Sequence, residues 1–181
     1  MQATDILIQE HRVIEKILDS LETAANRLSA GDTIPMDFFL KTADFVKNFA
    51  DGCHHKKEEG VLFVAMAANG MSQETEPLSI MLAEHEEGRR LTRAMREGAE
   101  RVQGGDTTAM HQVIQNALDY VALLREHIQK EDHILFPMAD DVIPVGQHQQ
   151  LMTEFNRIEH EEDVHEKYLR IADELAKVVM A

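Results

Sequence analysis

The sequence has no tryptophan, one cysteine, two tyrosines and seven phenylalanines, so aromatic residues make up only 5% of it. Its four prolines and nine glycines are few and clustered, which argues against a sandwich or barrel, where turn residues recur at short intervals. The lone Cys53 excludes an internal disulfide and a multi-thiolate zinc or iron–sulfur site within one chain. It fits a reducing compartment. Basic residues are also scarce: 18 Lys and Arg stand against 33 Asp and Glu, a formal net charge of -15. That balance repels phosphate backbones and anionic lipid, so neither nucleic acid nor membrane is an expected partner, whereas cations are. No run approaches the roughly 18 apolar residues of a membrane span. The start, "MQATDILIQEH", lacks the basic and apolar regions of a secretory signal. A cytoplasmic protein is expected.

What the chain does have is Ala, Leu, Met and Ile in helical patterns, with an apolar fraction of 44%. Turn signals at "AGDTIP" (30–35), "NGMSQETEP" (69–77), "GGDTT" (104–108) and "VIPVGQ" (142–147) divide it into five helical segments. In the first, Leu7, His11, Ile14, Leu18, Leu21, Ala25 and Leu28 alternate steps of four and three, one face of a bundle helix. In the fourth, the same steps join Val113, Ala117, Tyr120, Leu124, His127, Glu131, Ile134 and Met138. Histidines and a glutamate therefore fall on faces expected to be core. The expected architecture is all-α: an up-down-up-down four-helix bundle over about residues 4–140, with an additional C-terminal helix over about 147–180, in one domain spanning 1–181.

The stretch "GCHHKKEEGVLF" (52–63) has a copy. A shift of 73 lays "HHKKEEGVLF" over "HIQKEDHILF" (127–136), matching His54 with His127 and Glu58 with Glu131. A shift of 74 matches Glu10-His11 with Glu84-His85. Loop positions give an independent test, because short connections make neighbours antiparallel and put residues equidistant from a turn at one height. The midpoint of His11 and His54 falls in "GDTI", and that of His85 and His127 in "GGD". Glu58 and His85 lie about ten residues either side of the second loop, roughly 15 Å along each axis at 1.5 Å per residue. All six residues converge on one layer.

Four imidazoles and two carboxylates buried together need a compensating charge. The i,i+4 spacing of each HxxxE puts its histidine and glutamate on one helix face, so the histidine can bind one ion while the glutamate bridges to a second. Imidazole with carboxylate suits iron, zinc, manganese or copper, and not an all-oxygen calcium or magnesium cage. Ferritin-like oxidases place glutamate before histidine, as Glu-x-x-His, and so differ.

The order H…HxxxE…H…HxxxE over about residues 5–140 resembles the hemerythrin-like, HHE cation-binding domain. The resemblance implies a non-haem di-iron centre, two iron ions with a bridging oxo or hydroxo group. Its ligands would be His11, His54, Glu58, His85, His127 and Glu131, with Glu58 and Glu131 bridging. In "HHKKEE", His55 and Glu59 share the same spacing and form a register alternative. Oxygen carriers of the family have HxxxH on the third helix, where this chain has Arg89, so one iron is expected to lack its third imidazole. That pattern is nearer to repair-of-iron-centres proteins and other HHE proteins linked to iron handling, nitric oxide and peroxide. The resemblance thus implies binding of O2, NO or peroxide in sensing or stress response. The alternatives are an enzyme reducing NO or decomposing peroxide, and an iron store or donor; the partners would be an electron donor or an iron-acceptor protein.

In the C-terminal segment, "EHEED" resembles "EHEEG" at 84–88, so His160 or His165 either supplies the missing ligand or lies on a packing helix. Tyr120 either donates a hydrogen bond near the site or is plain core. Cys53 is expected as a small buried hydrophobe and the methionines as core filling. Lys56, Lys57, His111, His133 and His148 are expected to face water.

Overall fold

The computed structural model describes residues 1–162 and 165–180. Among them the chain forms helices and no strand. Helix α1 is Ala3–Ser29. Helix α2 runs continuously over 36–68, and α3 is Leu78–Gln103. A single turn, Thr107–Ala109, leads into α4, continuous over 110–142. Val145–Glu162 forms α5 and His165–Met180 forms α6. No helix among the described residues is long and apolar enough to cross a membrane.

Local chemistry sets these boundaries. At the start of α1 the Asp5 carboxylate accepts from the Gln2 backbone N–H at 2.7 Å, satisfying a group that the helix leaves unpaired. Just past its end stands Gly31, whose φ of 97° lies in the left-handed region; the turn lets the Asp32 N–H reach the Arg27 carbonyl at 3.0 Å.

The helices pack so that α3 and α4 run antiparallel: Gly98 meets Val113, Gly88 meets Tyr120, and His85 meets His127. The first contact needs glycine, since a Cβ at residue 98 would stand 3.0 Å from Val113 Cγ2 and 3.3 Å from its backbone nitrogen. Helices α5 and α6 lie along α1 and α2; the single C-terminal helix expected there would span residues 163 and 164, which lie outside the described residues. Gln147 accepts from Asn69 at 3.2 Å near the beginning of α5. Further on, Tyr168 packs edge-on against Phe45, and the Val179 carbonyl accepts from Arg27 at 3.0 Å near the end of α6.

The apolar core falls into two clusters. One contains Ile14, Leu18, Phe39, Phe45, Phe49, Met95, Val113 and Tyr120. The other contains Leu7, Leu62, Phe63, Met66, Met81, Leu135, Phe136 and Phe155. On each of α1 to α4 the sequence passes from one cluster to the other across the positions of His11, His54 to Glu58, His85, and His127 to Glu131. Burying each large side chain contributes about 1.5–3 kcal/mol. The apolar clusters therefore hold a polar layer in place between them.

Not every expected core position is core: Met1 and Met180, expected with the other methionines as core filling, are 83% and 84% exposed. Ile134 is 54% exposed, because α4 widens to π-helical turns over Glu131–Leu135. The i,i+5 bonding of those turns delays the apolar phase by one residue. Leu135 and Phe136 are buried instead.

Candidate metal centre

Three π-helical segments adjoin the polar layer: Val46–His55 and Glu58–Leu62 on α2, and Glu131–Leu135 on α4. More residues per turn means a smaller angle between neighbours, so two consecutive side chains can face one interior. His54 and His55 both do, at 1% and 4% exposure. The choice that the sequence posed between them does not arise. Glu59 lies outside the layer and accepts from the His85 Nδ1–H at 2.7 Å.

The inward atoms form two overlapping sets. His55, Glu58, His85 and His127 each offer one donor atom within 4.8 Å of the others, and so do His11, His54, Glu58 and Glu131. Glu58 belongs to both. Its Oε1 stands 3.3 Å from His54 Nε2 and its Oε2 3.4 Å from His85 Nε2. Glu131 divides in the same way, with Oε2 3.2 Å from His11 Nε2 and Oε1 3.2 Å from His127 Nε2. Each carboxylate faces a histidine from either set.

Behind every ring stands a second carboxylate. Nδ1–H donates to Glu10 from His54 at 2.9 Å, to Asp51 from His55 at 2.8 Å, to Glu84 from His127 at 2.8 Å and to Asp132 from His11 at 2.7 Å. Because an ionised carboxylate only accepts, these bonds place a proton on Nδ1, and a ring in its neutral form then has its Nε2 lone pair inward. Such outer carboxylates orient metal-binding histidines and raise their basicity. Cations neutralise them in turn: Lys57 on Glu10, Lys130 on Glu84, Arg12 on Asp132, and Arg89 on both Asp51 and Glu59.

The electrostatics follow. Burial lowers the His54 and His127 rings, but Glu58 and Glu131 more than offset it, raising both to about 10. His55 goes the other way: burial and then the neighbouring His85 hold it well below the usual range, so it is a neutral donor. Burial would raise Glu131, yet His127 and His11 keep it ionised, well below the ordinary carboxylate range.

The fit to cations rests on orphaned atoms. Both oxygens of Glu58, both oxygens of Glu131 and Nε2 of His11 are buried without a hydrogen-bond partner. An ionised carboxylate in that condition is costly unless it is paired or coordinates a metal. The donors are borderline nitrogen and hard oxygen, suited to first-row divalent ions. The residues present fit a pair of cations sharing Glu58.

The sequence matches the family described as "Hemerythrin HHE cation binding domain" over residues 2–139. The chain belongs to the hemerythrin HHE family. Among curated proteins it is similar to the uncharacterised Rv1995 of Mycobacterium tuberculosis and the uncharacterised Mb2018 of Mycobacterium bovis. It is 24% identical to each over 176 residues, which cover 97% of this chain and 68% of the relative. No solved structure matches it.

As a hemerythrin HHE chain it brings His11, His54, Glu58, His85, His127 and Glu131 into one buried layer and adds His55 to them. Arg89 does stand on α3 in place of a histidine; the third imidazole beside His85 and His127 comes from α2. His160 is exposed and contributes to neither set, and the side chain of His165 lies outside the described residues. Tyr120 is buried with an unpartnered hydroxyl, its pKa raised by burial and then by Asp51. Cys53 is fully buried, and burial pushes its thiol up to about 11.

Two expectations about solvent fail. Lys57 is 0% exposed, held between Glu10 and Glu159 of α5, the latter at 2.5 Å. Its ammonium sits over the Phe155 ring. His148 is 2% exposed, where it accepts from the Ala3 N–H at 3.3 Å.

Sequence reasoning also missed the outer carboxylates, although the repeat carried them. The 73–74 residue shift that pairs His54 with His127 also pairs Glu10 with Glu84, Lys57 with Lys130 and Glu59 with Asp132. The structure connects those residues in corresponding ways. His55 and Asp51 are the exception, since the shift places them against Ile128 and Leu124.

Proposed function

We propose that this protein is a non-haem di-iron protein that binds O2, NO or peroxide in sensing or stress response. In this reading α1 to α4 form the up-down-up-down bundle of a single domain spanning 1–181, working in the cytoplasm. His55, His85 and His127 would hold one iron and His11 and His54 the other, with Glu58 and Glu131 available to both. The observation that carries it is the Glu58 carboxylate, buried, without a hydrogen-bond partner and shared by both donor sets.

When bound there, two irons would supply a change between ferrous and ferric states and a place for a small ligand. The chain's own contribution is inequality. The His11 and His54 half has one imidazole fewer, so the small ligand belongs there. Phe136 lies flat against His11, with centroids 5.4 Å apart and planes at 12°. It provides an apolar wall that suits a neutral diatomic and keeps water off the site.

The test is the iron content and absorption spectrum of the purified protein, followed by anaerobic stopped-flow mixing of the ferrous form with O2, NO and peroxide. Two irons per chain, oxo-to-iron charge-transfer bands and adducts that reverse on removal of the ligand are expected. Sustained consumption of NO or peroxide would replace the binding reading with an enzymatic one.

A further inference from the structure

The repeat relates four of the five histidine–carboxylate pairs. The pair outside it, His55 with Asp51, is the one that makes the two half-sites unequal. Its carboxylate shares a cation with another pair. Arg89 Nε donates to Asp51 at 3.2 Å, while Nη2 donates to Glu59 at 2.7 Å. Asp51 orients His55 and Glu59 orients His85. One guanidinium therefore fixes two imidazoles of the same half-site, whose rings stack with centroids 3.9 Å apart. In the other half His54 and His11 depend on separate cations, Lys57 and Arg12.

The surroundings differ as well. Lys57 and Glu10 are 0% and 2% exposed, whereas Arg89, Asp51 and Glu59 are 22%, 20% and 30% exposed. Two surface cavities, of about 260 and 410 Å³, are both lined by Asp51 and Arg89. The carboxylates behind His55 and His85 are thus more exposed than Glu10 and Asp132, at 2% and 9%, behind His54 and His11, and have open space into which they can turn.

We propose that Arg89 is a positioning residue that latches the His55, His85 and His127 half-site, and that cations leave and enter that half through the cavities beside it. Without the guanidinium, Asp51 and Glu59 lose the one group that bonds to both of them. They separate into the cavities, and His55 and His85 lose the partners that fix their tautomer and ring angle. Loss of such an outer partner weakens metal binding by about 10–100-fold. The fork matters, because a lysine ammonium is a point charge that cannot span two carboxylates in fixed geometry.

The inference rests on the two-cation reading, and its test separates the two. Protein loaded anaerobically with Fe2+ is first assayed for iron per chain; fewer than two in the unsubstituted protein would refute that reading. Iron extraction by a bipyridine chelator is then followed by stopped flow. Two phases of one iron each are expected. Arg89→Ala should speed one phase at least about ten-fold and leave the other unchanged, and Arg89→Lys should fall between. Arg12→Ala, which removes the cation behind His11, should speed the opposite phase. The latch is overturned if Arg89→Ala, still carrying two irons, speeds both phases alike or neither, or if it and Arg12→Ala act on the same phase. Thermal unfolding of each variant, loaded with iron, distinguishes general loosening, which would accelerate both phases.

Discussion

His55 lies face to face with His85, ring centroids 3.9 Å apart and planes 19° from parallel. Two imidazoles can stack this closely in a buried layer when at least one is neutral, and burial with the surrounding histidines holds His55 neutral. As a donor His55 outranks Glu59, its companion in the register alternative, which lies outside the layer. His55→Ala should cost one bound cation per chain. Glu59→Gln should keep both and weaken one by about 10–100-fold. Equilibrium titration of the two variants against a competing chelator checks the contrast; equal losses would refute it.

Lys57 is a buried ammonium with one buried and one half-buried carboxylate partner. Lys57→Met strips the counter-charge from Glu10 at 2% exposure, and breaking a buried pair from one side costs about 3–5 kcal/mol. Glu159→Gln, at the 27% exposed end, should cost about 1 kcal/mol or less. Urea midpoints at constant m-value measure both. A loss at Lys57 no greater than that at Glu159 would contradict the network.

The four bundle helices were legible because their apolar stripes keep a helical period and their loops carry Gly and Pro. The polar layer was legible because the repeat selects the same residue types twice. The π-helical turns were not legible. Period 3.6 assigned Ile134 to the core and made His54 and His55 rivals, and one extra residue per turn undoes both. Lys57 was assigned to solvent because charge runs are usually solvated, yet its partner Glu159 is 102 positions away, beyond any local pattern. Glu10 and Glu84 were matched in the repeat, but only as neighbours of histidines and not as partners of different ones.

Gly98 allows α3 and α4 to close on each other. Gly98→Ala puts a methyl 3.0 Å from Val113 Cγ2 and 3.3 Å from the Val113 nitrogen. Because one of those neighbours is backbone, the helices must move apart, at about 1–3 kcal/mol. Gly98→Ala combined with Val113→Ala should recover less than the full loss, since the backbone contact remains. Thermal unfolding of the single and double variants checks this.

In protein stripped of metal, His54 and His127 have pKa values of about 10, well above the roughly 6.5 of an unfolded chain. A pKa raised by folding stabilises fully below about 6.5, and that contribution is lost as pH rises through about 10. Glu131 stays ionised throughout that window and adds no slope. Stripped protein should therefore unfold at lower urea as pH goes from about 6.5 to 10, while apparent cation affinity rises because fewer protons must be displaced. Urea midpoints that stay flat or rise with pH would contradict the assignment.

Sharing of Glu58 by two cations underlies the whole site. Anaerobic Fe2+ titration with elemental analysis tests it most directly, comparing the unsubstituted chain with Glu58→Ala. Two irons per chain are expected in the first and loss of tight binding at both positions in the second. One iron in the unsubstituted chain, or two retained in Glu58→Ala, would contradict it.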